Sequence, residues 1–294
     1  MTTESRQVIP FAGCFATEPR AQKRARLVFV GLADDSQSSH RRGCAQGPAR
    51  IRLAYDGNCY NPCTEAGVDL SGAVADAGDL TSQGSWELTA RAFRECTAQL
   101  VAGGKIPFFA GGDHAVTVPA VAGLAERGER IHVIQIDAHP DLYPVYEGNP
   151  NSHACVAARL LEMSHVASVT QLGIRTLNPV QREHGKRFGD RVRLFFAYDL
   201  PGRLPALQHI PPDAPLYLTV DLDGFDPAFA PGVAHPVPGG LTPRQVLDFI
   251  RAAPWKLVGM DVVELNPSLD VNNQTAILAA RLLHEGMGLA SSQS

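Results

Sequence analysis

The sequence predicts an α/β fold of three layers, in which helices cover both faces of a mostly parallel central sheet. Seven short runs rich in apolar, β-branched and aromatic residues are separated at several points by segments of helical pattern. The runs are nearly continuous in apolar residues, which is typical of parallel strands that are buried on both faces. The strands are expected at residues 26–32, 105–112, 130–139, 168–175, 192–198, 215–223 and 255–265.

Helices are expected between the strands, in residues 85–104, 153–165 and 242–253. A chain of 294 residues that is 45% hydrophobic can bury a large core, and it lies near the upper size for a single core. Pro and Gly recur in residues 201–215 and 231–240, but these segments are too short to be interdomain linkers. We therefore predict one domain, residues 26–294, preceded by a partly mobile N-terminal arm, residues 1–25.

The charge pattern favours a small-molecule partner. The formal net charge is −4 and the basic residues are scattered, so the chain lacks the basic face that binds nucleic acid. The N-terminus lacks a basic segment followed by an apolar one, and no apolar run approaches the roughly 20 residues that cross a bilayer. We therefore expect a cytoplasmic protein that binds neither nucleic acid nor membrane.

The six cysteines are expected to be ordinary thiols in a reducing compartment. Cys59 and Cys63 are four positions apart, but no second pair completes a zinc site. Whether these two thiols pair with each other is left open by the sequence.

Three ligand-type residues stand where the third predicted strand ends, in the stretch IDAHPDLY. The side-chain period of two places Asp137 and His139 on one face, and Asp141 follows as the strand gives way to a loop. A helix cap or a turn would account for any single Asp in such a place. Asp is a poor strand former, however, and a buried carboxylate needs a compensating charge. The stretch therefore indicates a bound cation.

A second carboxylate pair and a further histidine support that interpretation. Asp221 and Asp223 share a face at the end of the strand predicted at residues 215–223. His114 follows the strand predicted at residues 105–112, which ends in two glycines. Open α/β sheets bind ligands beyond the carboxyl ends of their strands, so these side chains are expected to meet there. Four carboxylates and two imidazoles are enough for two divalent ions. Oxygen-rich coordination favours manganese over zinc, with nickel and cobalt as alternatives.

Five segments resemble, in order and spacing, the signature segments of the ureohydrolase family, the arginases, agmatinases and their relatives. They are GGDH (111–114), DAHPD (137–141), SHACVAARLLE (152–162), DLDGFDP (221–227) and GMDVVELNPSLD (259–270). RRGCAQGPARIR (41–52) and VADAGDL (74–80) also resemble the N-terminal third of that family. The resemblance implies an arginase-like three-layer fold, two Mn²⁺ ions per chain, hydrolysis of a guanidino compound to urea and an amine, and a homo-oligomer, either a trimer or a hexamer.

The resemblance also implies roles for individual residues. One ion would be held by His114, Asp137, Asp141 and Asp221, and the other by Asp137, His139, Asp221 and Asp223. The ions would activate water for attack on the guanidinium carbon, and Asp141 would relay a proton to the leaving amine. Glu264 matches the glutamate that binds the guanidinium, for which a planar bidentate partner is the physical requirement. His153 matches the family's mobile proton-shuttling histidine, which also contacts the substrate.

The loop LYPVYEGNPNSH, residues 142–153, bears on the substrate. It lacks the cluster of Asn, Ser and Thr with which arginases bind the substrate's amino acid head, and it resembles loops of bacterial and archaeal agmatinases. Agmatine carries a plain ammonium at that end, which Glu147, Tyr143 or Tyr146 could receive. The resemblance therefore favours hydrolysis of agmatine to putrescine and urea, a step of polyamine biosynthesis.

Other activities remain open from sequence. Within the family, the alternatives are guanidinobutyrase, guanidinopropionase, guanidine hydrolase, a hydrolase of formiminoglutamate and arginase. A single-zinc deacetylase of related fold also uses an Asp-x-His motif, but it would not need Asp141, Asp223 and Glu264 together. A non-catalytic family member would be expected to have lost some metal positions, and this sequence retains all of them.

Overall fold

A computed structural model describes residues 8–293 of the chain. Within these residues eight strands form one sheet in the order β2-β1-β3-β8-β7-β4-β5-β6, and every neighbouring pair is parallel. The strands are β1 (Leu27–Ala33), β2 (Val74–Thr81), β3 (Ile106–Gly111), β4 (Ile131–Ile136), β5 (Val166–Ile174), β6 (Val192–Phe196), β7 (Pro215–Asp221) and β8 (Lys256–Val263).

In the described part of the chain, α-helices connect all consecutive strands except β6 and β7, and one further helix lies before β1 and one after β8. They are α1 (Pro19–Arg24), α2 (Gly47–Ala54), α3 (Trp86–Ala102), α4 (Thr117–Gly123), α5 (Val156–Glu162), α6 (Pro179–Lys186), α7 (Pro243–Arg251) and α8 (Gln274–Ser292). Side chains at the N-cap positions fix where several of them begin. Ser85 accepts a backbone hydrogen bond at the start of α3, and Thr242 forms a reciprocal capping box with Gln245 at the start of α7.

The predicted three-layer α/β class is confirmed. Two buried apolar clusters lie on opposite faces of the sheet, because successive residues of one strand belong to different clusters. On β3, for example, Phe108 packs in one cluster and Phe109 in the other. All seven predicted strands are present, and the described residues contain no helix that is both long and apolar enough to span a bilayer.

The eighth strand, β2, was not predicted. It lies at one edge of the sheet and pairs only with β1, so most of its side chains are half-buried or exposed. Its sequence, VADAGDLT, therefore lacks the apolar run expected of a buried strand. Arg52 of α2 forms ion pairs with Asp76 at 2.9 Å and with Asp79 at 2.5 Å, which places the two carboxylates favourably at this edge. The long helix α8 was likewise not predicted.

The segment before β1 packs against the domain from residue 8 onward. Phe11 is fully buried, and its ring stacks on Phe15 with a centroid separation of 5.2 Å and meets Phe29 of β1 at 5.3 Å. The boundary at residue 25 stays a prediction, and the mobility expected for residues 1–7 concerns residues outside the described part.

Cys59 and Cys63 are exposed free thiols.

Candidate metal centre and active site

The candidate site lies at the carboxyl ends of four adjacent strands, in the sheet order β3-β8-β7-β4. His114 begins a 3-10 turn three residues after β3, and Asp137 directly follows β4. Asp221 is the last residue of β7, and Glu264 directly follows β8. Because the four strands are parallel and adjacent, their ends bring residues far apart in sequence to one place.

Three carboxylates surround one imidazole nitrogen of His114. Nδ1 lies 3.2 Å from Asp137 Oδ2, 3.1 Å from Asp141 Oδ2 and 3.3 Å from Asp221 Oδ2. This nitrogen is buried, and the approach angles leave it without a hydrogen bond to any described residue. Nε2, on the other side of the ring, lies 3.0 Å from the hydroxyl of Thr219, which orients the ring. The arrangement directs four ligand atoms at one point.

A second group of ligands shares Asp137 with the first. Nδ1 of His139 lies 3.0 Å from Asp223 Oδ2 and 3.6 Å from Asp137 Oδ1. The backbone N–H of Ala138 donates to Asp223 Oδ1 at 3.1 Å, and that of His139 donates to Asp137 Oδ1 at 2.6 Å. Asp137 therefore faces the His114 group with one oxygen and the His139 group with the other.

The carboxylates of the site are crowded and short of positive charge. Burial and the charge of Asp137 raise the pKa of Asp141 to about 7. Burial and the charges of Asp223 and Asp137 raise the pKa of Asp221 well above its ordinary value. Divalent cations would remove this repulsion and would occupy the lone pair of His114 Nδ1, so the residues fit a metal centre. A pair of such ions, when bound, supplies Lewis-acid chemistry and lowers the pKa of water.

Glu264 lies against the His114 group. Its Oε1 accepts the backbone N–H of His114 at 2.8 Å and lies 2.9 Å from Nδ1 of His153, while the thiol of Cys44 donates to Oε2 at 3.5 Å. Burial raises the pKa of Glu264, but the charge of His153 and these hydrogen bonds outweigh it and hold the pKa at about 2. The backbone of Glu264 has a φ of 66°, a left-handed conformation that non-glycine residues rarely adopt. Glu264 therefore combines an ionised carboxylate with an unusual backbone conformation.

His153 begins the turn that leads into α5, where the side chain of Ser152 caps the turn. Nε2 lies 2.9 Å from the hydroxyl of Ser39 and accepts the backbone N–H of Ser39 at 3.2 Å. The ring can therefore accept from the amide when neutral and donate to the hydroxyl when protonated. Burial lowers the pKa of His153, but the charge of Glu264 outweighs it and raises the pKa to about 9.

A model of the arginase family matches residues 25–288 of the chain. The chain belongs to the arginase family. Arginase 1, mitochondrial, of Arabidopsis thaliana is 34% identical over 284 residues, which cover 89% of this chain and 80% of that protein. The agmatinase of Bacillus anthracis is 31% identical over 269 residues, which cover 90% of this chain and 91% of that protein. The solved structure of the agmatine ureohydrolase of Thermoplasma volcanium matches with a TM-score of 0.79 at 30% identity and covers 92% of this chain and 91% of that chain.

Membership of the arginase family confirms the ureohydrolase resemblance. The protein is an arginase-family hydrolase. That family depends on a binuclear metal centre, and the two groups of Asp and His in this chain could bind metal ions. This favours a ureohydrolase over a deacetylase with a single zinc ion. Arginases and agmatinases both occur among the relatives at similar identity, so the family level is what these comparisons establish.

The arginase-family site opens into a cavity of about 200 Å³. His114, His139, Asp141, Asp221, Asp223 and Glu264 line it, together with the polar or aromatic residues Ser39, Tyr143, Tyr146, Thr176, Gln181 and His235. The rings of Tyr143 and Tyr146 lie 4.9 Å apart. Glu147 is exposed and is not among the lining residues, so the structure does not bring this predicted substrate-binding residue to the cavity. Its role stays a prediction.

Several residues of the site were not predicted from sequence, among them Ser39, Cys44 and His235. The ring of His235 lies 5.2 Å from that of His153 and 6.1 Å from that of His139. His235 comes from the loop between β7 and α7, and its only signal in the sequence is its position on a loop that follows a ligand-bearing strand. Ser39 and Cys44 lie on the segment after β1, which carried no ligand-type pattern.

Proposed function

We propose that the protein hydrolyses a guanidino compound to urea and an amine at a binuclear manganese centre, with agmatine as the first candidate substrate. The observation that carries this proposal is the ionised, buried carboxylate of Glu264 beside the His114 group. A guanidinium is a planar cation with parallel N–H donors, and a carboxylate is its natural partner. The proposed pairing sets the guanidinium carbon next to the two ligand groups.

The proposed ligand sets build on the two groups in the structure, and Asp221 joins the second set on the family resemblance alone. The first ion would be held by His114, Asp137, Asp141 and Asp221, and the second by Asp137, His139, Asp221 and Asp223. Four carboxylates against two imidazoles favour a hard, oxygen-preferring ion, which supports manganese, with nickel and cobalt as alternatives.

The protein's own residues divide the proton transfers. Glu264 would hold the guanidinium while water adds to its carbon. The bond from that carbon to the leaving nitrogen then breaks, and Asp141 would deliver the proton that the departing amine requires. Asp141 would first accept the proton that the attacking water loses and then pass it on to the amine. His153 lies between Glu264 and Ser39 and would exchange protons with solvent.

The composition of the cavity lining supports agmatine. The lining residues include no Lys or Arg that could pair with a carboxylate of the substrate. A substrate with a second ammonium is favoured electrostatically over one with a carboxylate. Arginine is the second candidate, because hydroxyls of Tyr143, Tyr146 and Thr176 could donate to an α-carboxylate.

Urea release by the purified protein loaded with manganese tests this proposal, with agmatine, arginine, guanidinobutyrate, guanidinopropionate and guanidine run in parallel. We expect the highest kcat/KM with agmatine and two manganese ions per chain. Turnover of another guanidino compound would move the substrate assignment and keep the chemistry, whereas no urea from any of the five would refute the hydrolase proposal. A Glu147→Gln variant with unchanged KM for agmatine would exclude Glu147 from substrate binding.

We also propose, from the sequence, a cytoplasmic homo-oligomer of three or six chains. Light scattering on the purified protein measures the number of chains, and a monomer would contradict the proposal. Fractionation of the source cells tests the location. This measurement is necessary because several relatives are named as mitochondrial proteins.

A further inference from the structure

Two glutamines lie side by side on adjacent strands of the sheet, next to the candidate metal ligand Asp137. Gln135 on β4 and Gln171 on β5 are register partners, and both are fully buried. Buried strand positions in a parallel sheet are normally apolar. A pair of primary amides at this depth therefore requires a physical reason.

The two amides form a chain of hydrogen bonds that ends on the shared carboxylate. Gln171 Nε2 donates to Gln135 Oε1 at 2.9 Å, and Gln135 Nε2 donates to Asp137 Oδ2 at 2.7 Å. Gln171 Nε2 also donates to the carbonyl oxygen of Pro140 at 2.6 Å. The pair thus holds the segment between residues 137 and 141 at two points, one on a ligand side chain and one on the peptide that precedes Asp141.

The orientation of both amides is determined by their partners. A carboxylate and a backbone carbonyl only accept hydrogen bonds, so Gln135 and Gln171 must each direct an NH₂ group towards these acceptors. This orientation leaves the buried Oε1 of Gln171 with no hydrogen-bond partner among the described residues. An unpartnered buried acceptor costs free energy that an apolar pair would avoid. The pair is therefore better explained by what it does to Asp137 and Pro140 than by its contribution to the core.

We infer that Gln171 and Gln135 form an amide relay that positions Asp137 and the peptide before Asp141 for the metal ion bound on the His114 side. The inference rests on the proposed metal centre. Gln135 is a positioning residue, because it acts through Asp137 and does not itself reach the cavity lining. Gln171 acts one step further away, through Gln135 and Pro140.

The geometry assigns the relay to one ion more than to the other. The oxygen that Gln135 holds, Asp137 Oδ2, faces His114, whereas Oδ1 faces His139 and is already held by the backbone N–H of His139. Asp141, which follows the peptide held by Gln171, also faces His114. Loss of the relay should therefore weaken the ion on the His114 side first.

Calorimetric titration of metal-free protein with Mn²⁺, together with metal content after dialysis, tests the inference without any activity assay. The variants are Gln135→Met and Gln171→Met, which keep the length of the side chain and remove its donors. We expect Gln135→Met to bind one ion about 10- to 100-fold more weakly than the wild type, the usual effect of removing a hydrogen bond to a metal ligand. It should retain closer to one manganese ion than two after dialysis. Gln171→Met should weaken the same ion by a smaller factor.

Thr170→Val is the matched control. Thr170 is fully buried on β5 beside Gln171, and its hydroxyl pairs with His209, away from the metal centre. Its substitution also removes a buried hydrogen bond, and it should leave both manganese affinities unchanged. Circular dichroism and a cooperative thermal transition establish that each variant is folded.

The possible results separate this inference from the proposed function. Wild-type affinity and two ions in Gln135→Met would overturn the relay and leave the metal centre intact. Equal weakening by Thr170→Val would also overturn it, because a general loss of core packing would then explain the effect. A wild-type protein that binds no manganese, nickel or cobalt would refute the metal centre itself.

Discussion

Replacement of Glu264 by Gln tests the guanidinium contact with little change in shape. Glu264 lies outside both ligand groups, so Glu264→Gln should bind the same number of ions as the wild type. The substitution removes the charge from a fully ionised carboxylate and turns one oxygen into a donor that faces the donors of the guanidinium. The variant should therefore lose substrate binding and turnover while it keeps its metal.

The expected loss follows from the hydrogen bonds at stake. A hydrogen bond to a charged group contributes about 1.5–3 kcal/mol, and a bidentate guanidinium pair has two, so about 3–6 kcal/mol is lost. Since about 1.36 kcal/mol corresponds to a tenfold change in rate, kcat/KM should fall by about 10²- to 10⁴-fold.

The assay is urea release at several agmatine concentrations, with metal content measured on the same samples. Glu183→Gln is the matched control, because Glu183 is exposed on α6 and forms an ion pair with Lys186, away from the cavity. It should have wild-type kinetics. A kcat/KM for Glu264→Gln within about threefold of the wild type, with both ions bound, would refute the proposed guanidinium contact.

Four further measurements follow from the structure. Removal of metal by a chelator should abolish urea release and lower Tm, and added Mn²⁺ at about 100 times its Kd should restore about 2.7 kcal/mol; an unchanged Tm would contradict the metal centre. Ser39→Ala should lower kcat several-fold with unchanged metal content, because His153 loses the hydroxyl partner of Nε2; wild-type kcat would exclude that role. The pKa of His153 is raised from 6.5 to about 9, so the stability that its charged form gives to the folded protein is complete below pH 6.5 and is lost as pH rises through about 9. In metal-free protein the Tm difference between wild type and His153→Asn should therefore shrink from pH 6 to pH 10. Gly112→Ala would place Cβ 1.7 Å from the carbonyl oxygen of Asp34, so chemical denaturation should show a loss of about 3 kcal/mol, the upper end for overpacking, and an unchanged midpoint would contradict the packing.

The ligand groups were accessible from sequence because each ligand is tied to its strand. Asp137 and Asp221 stand at the ends of apolar runs, which the sequence shows directly. The strands end earlier than predicted, at Ile136 and Asp221, so His139 and Asp223 are placed by the turns that follow and not by the strand period. Parallel strands with adjacent carboxyl ends then converge by topology alone. Glu264 follows the same rule after β8, although its left-handed backbone conformation has no signal in the residues around it.

Residues that reach the site from loops were not predicted from the sequence. Ser39 contacts His153 across 114 positions of chain, and Cys44 contacts Glu264 across 220, so no local pattern relates them. Glu147 shows the converse, since it follows the ligand-bearing segment closely yet lies exposed outside the cavity lining. A loop's course depends on what it packs against, which sequence distance does not determine.

The sequence by itself determined the three-layer α/β class and singled out six residues as candidate metal ligands, because hydrophobic periodicity and strand ends are local properties of the chain. Tertiary structure decided which loops close over those residues, and it brought Ser39 and His235 to the cavity while Glu147 stayed outside. It also decided the edge position of β2 and the alignment of Gln135 with Gln171, because both depend on which strands become neighbours. Strand order and register are set by the packing of the whole chain, and no short stretch of residues encodes them.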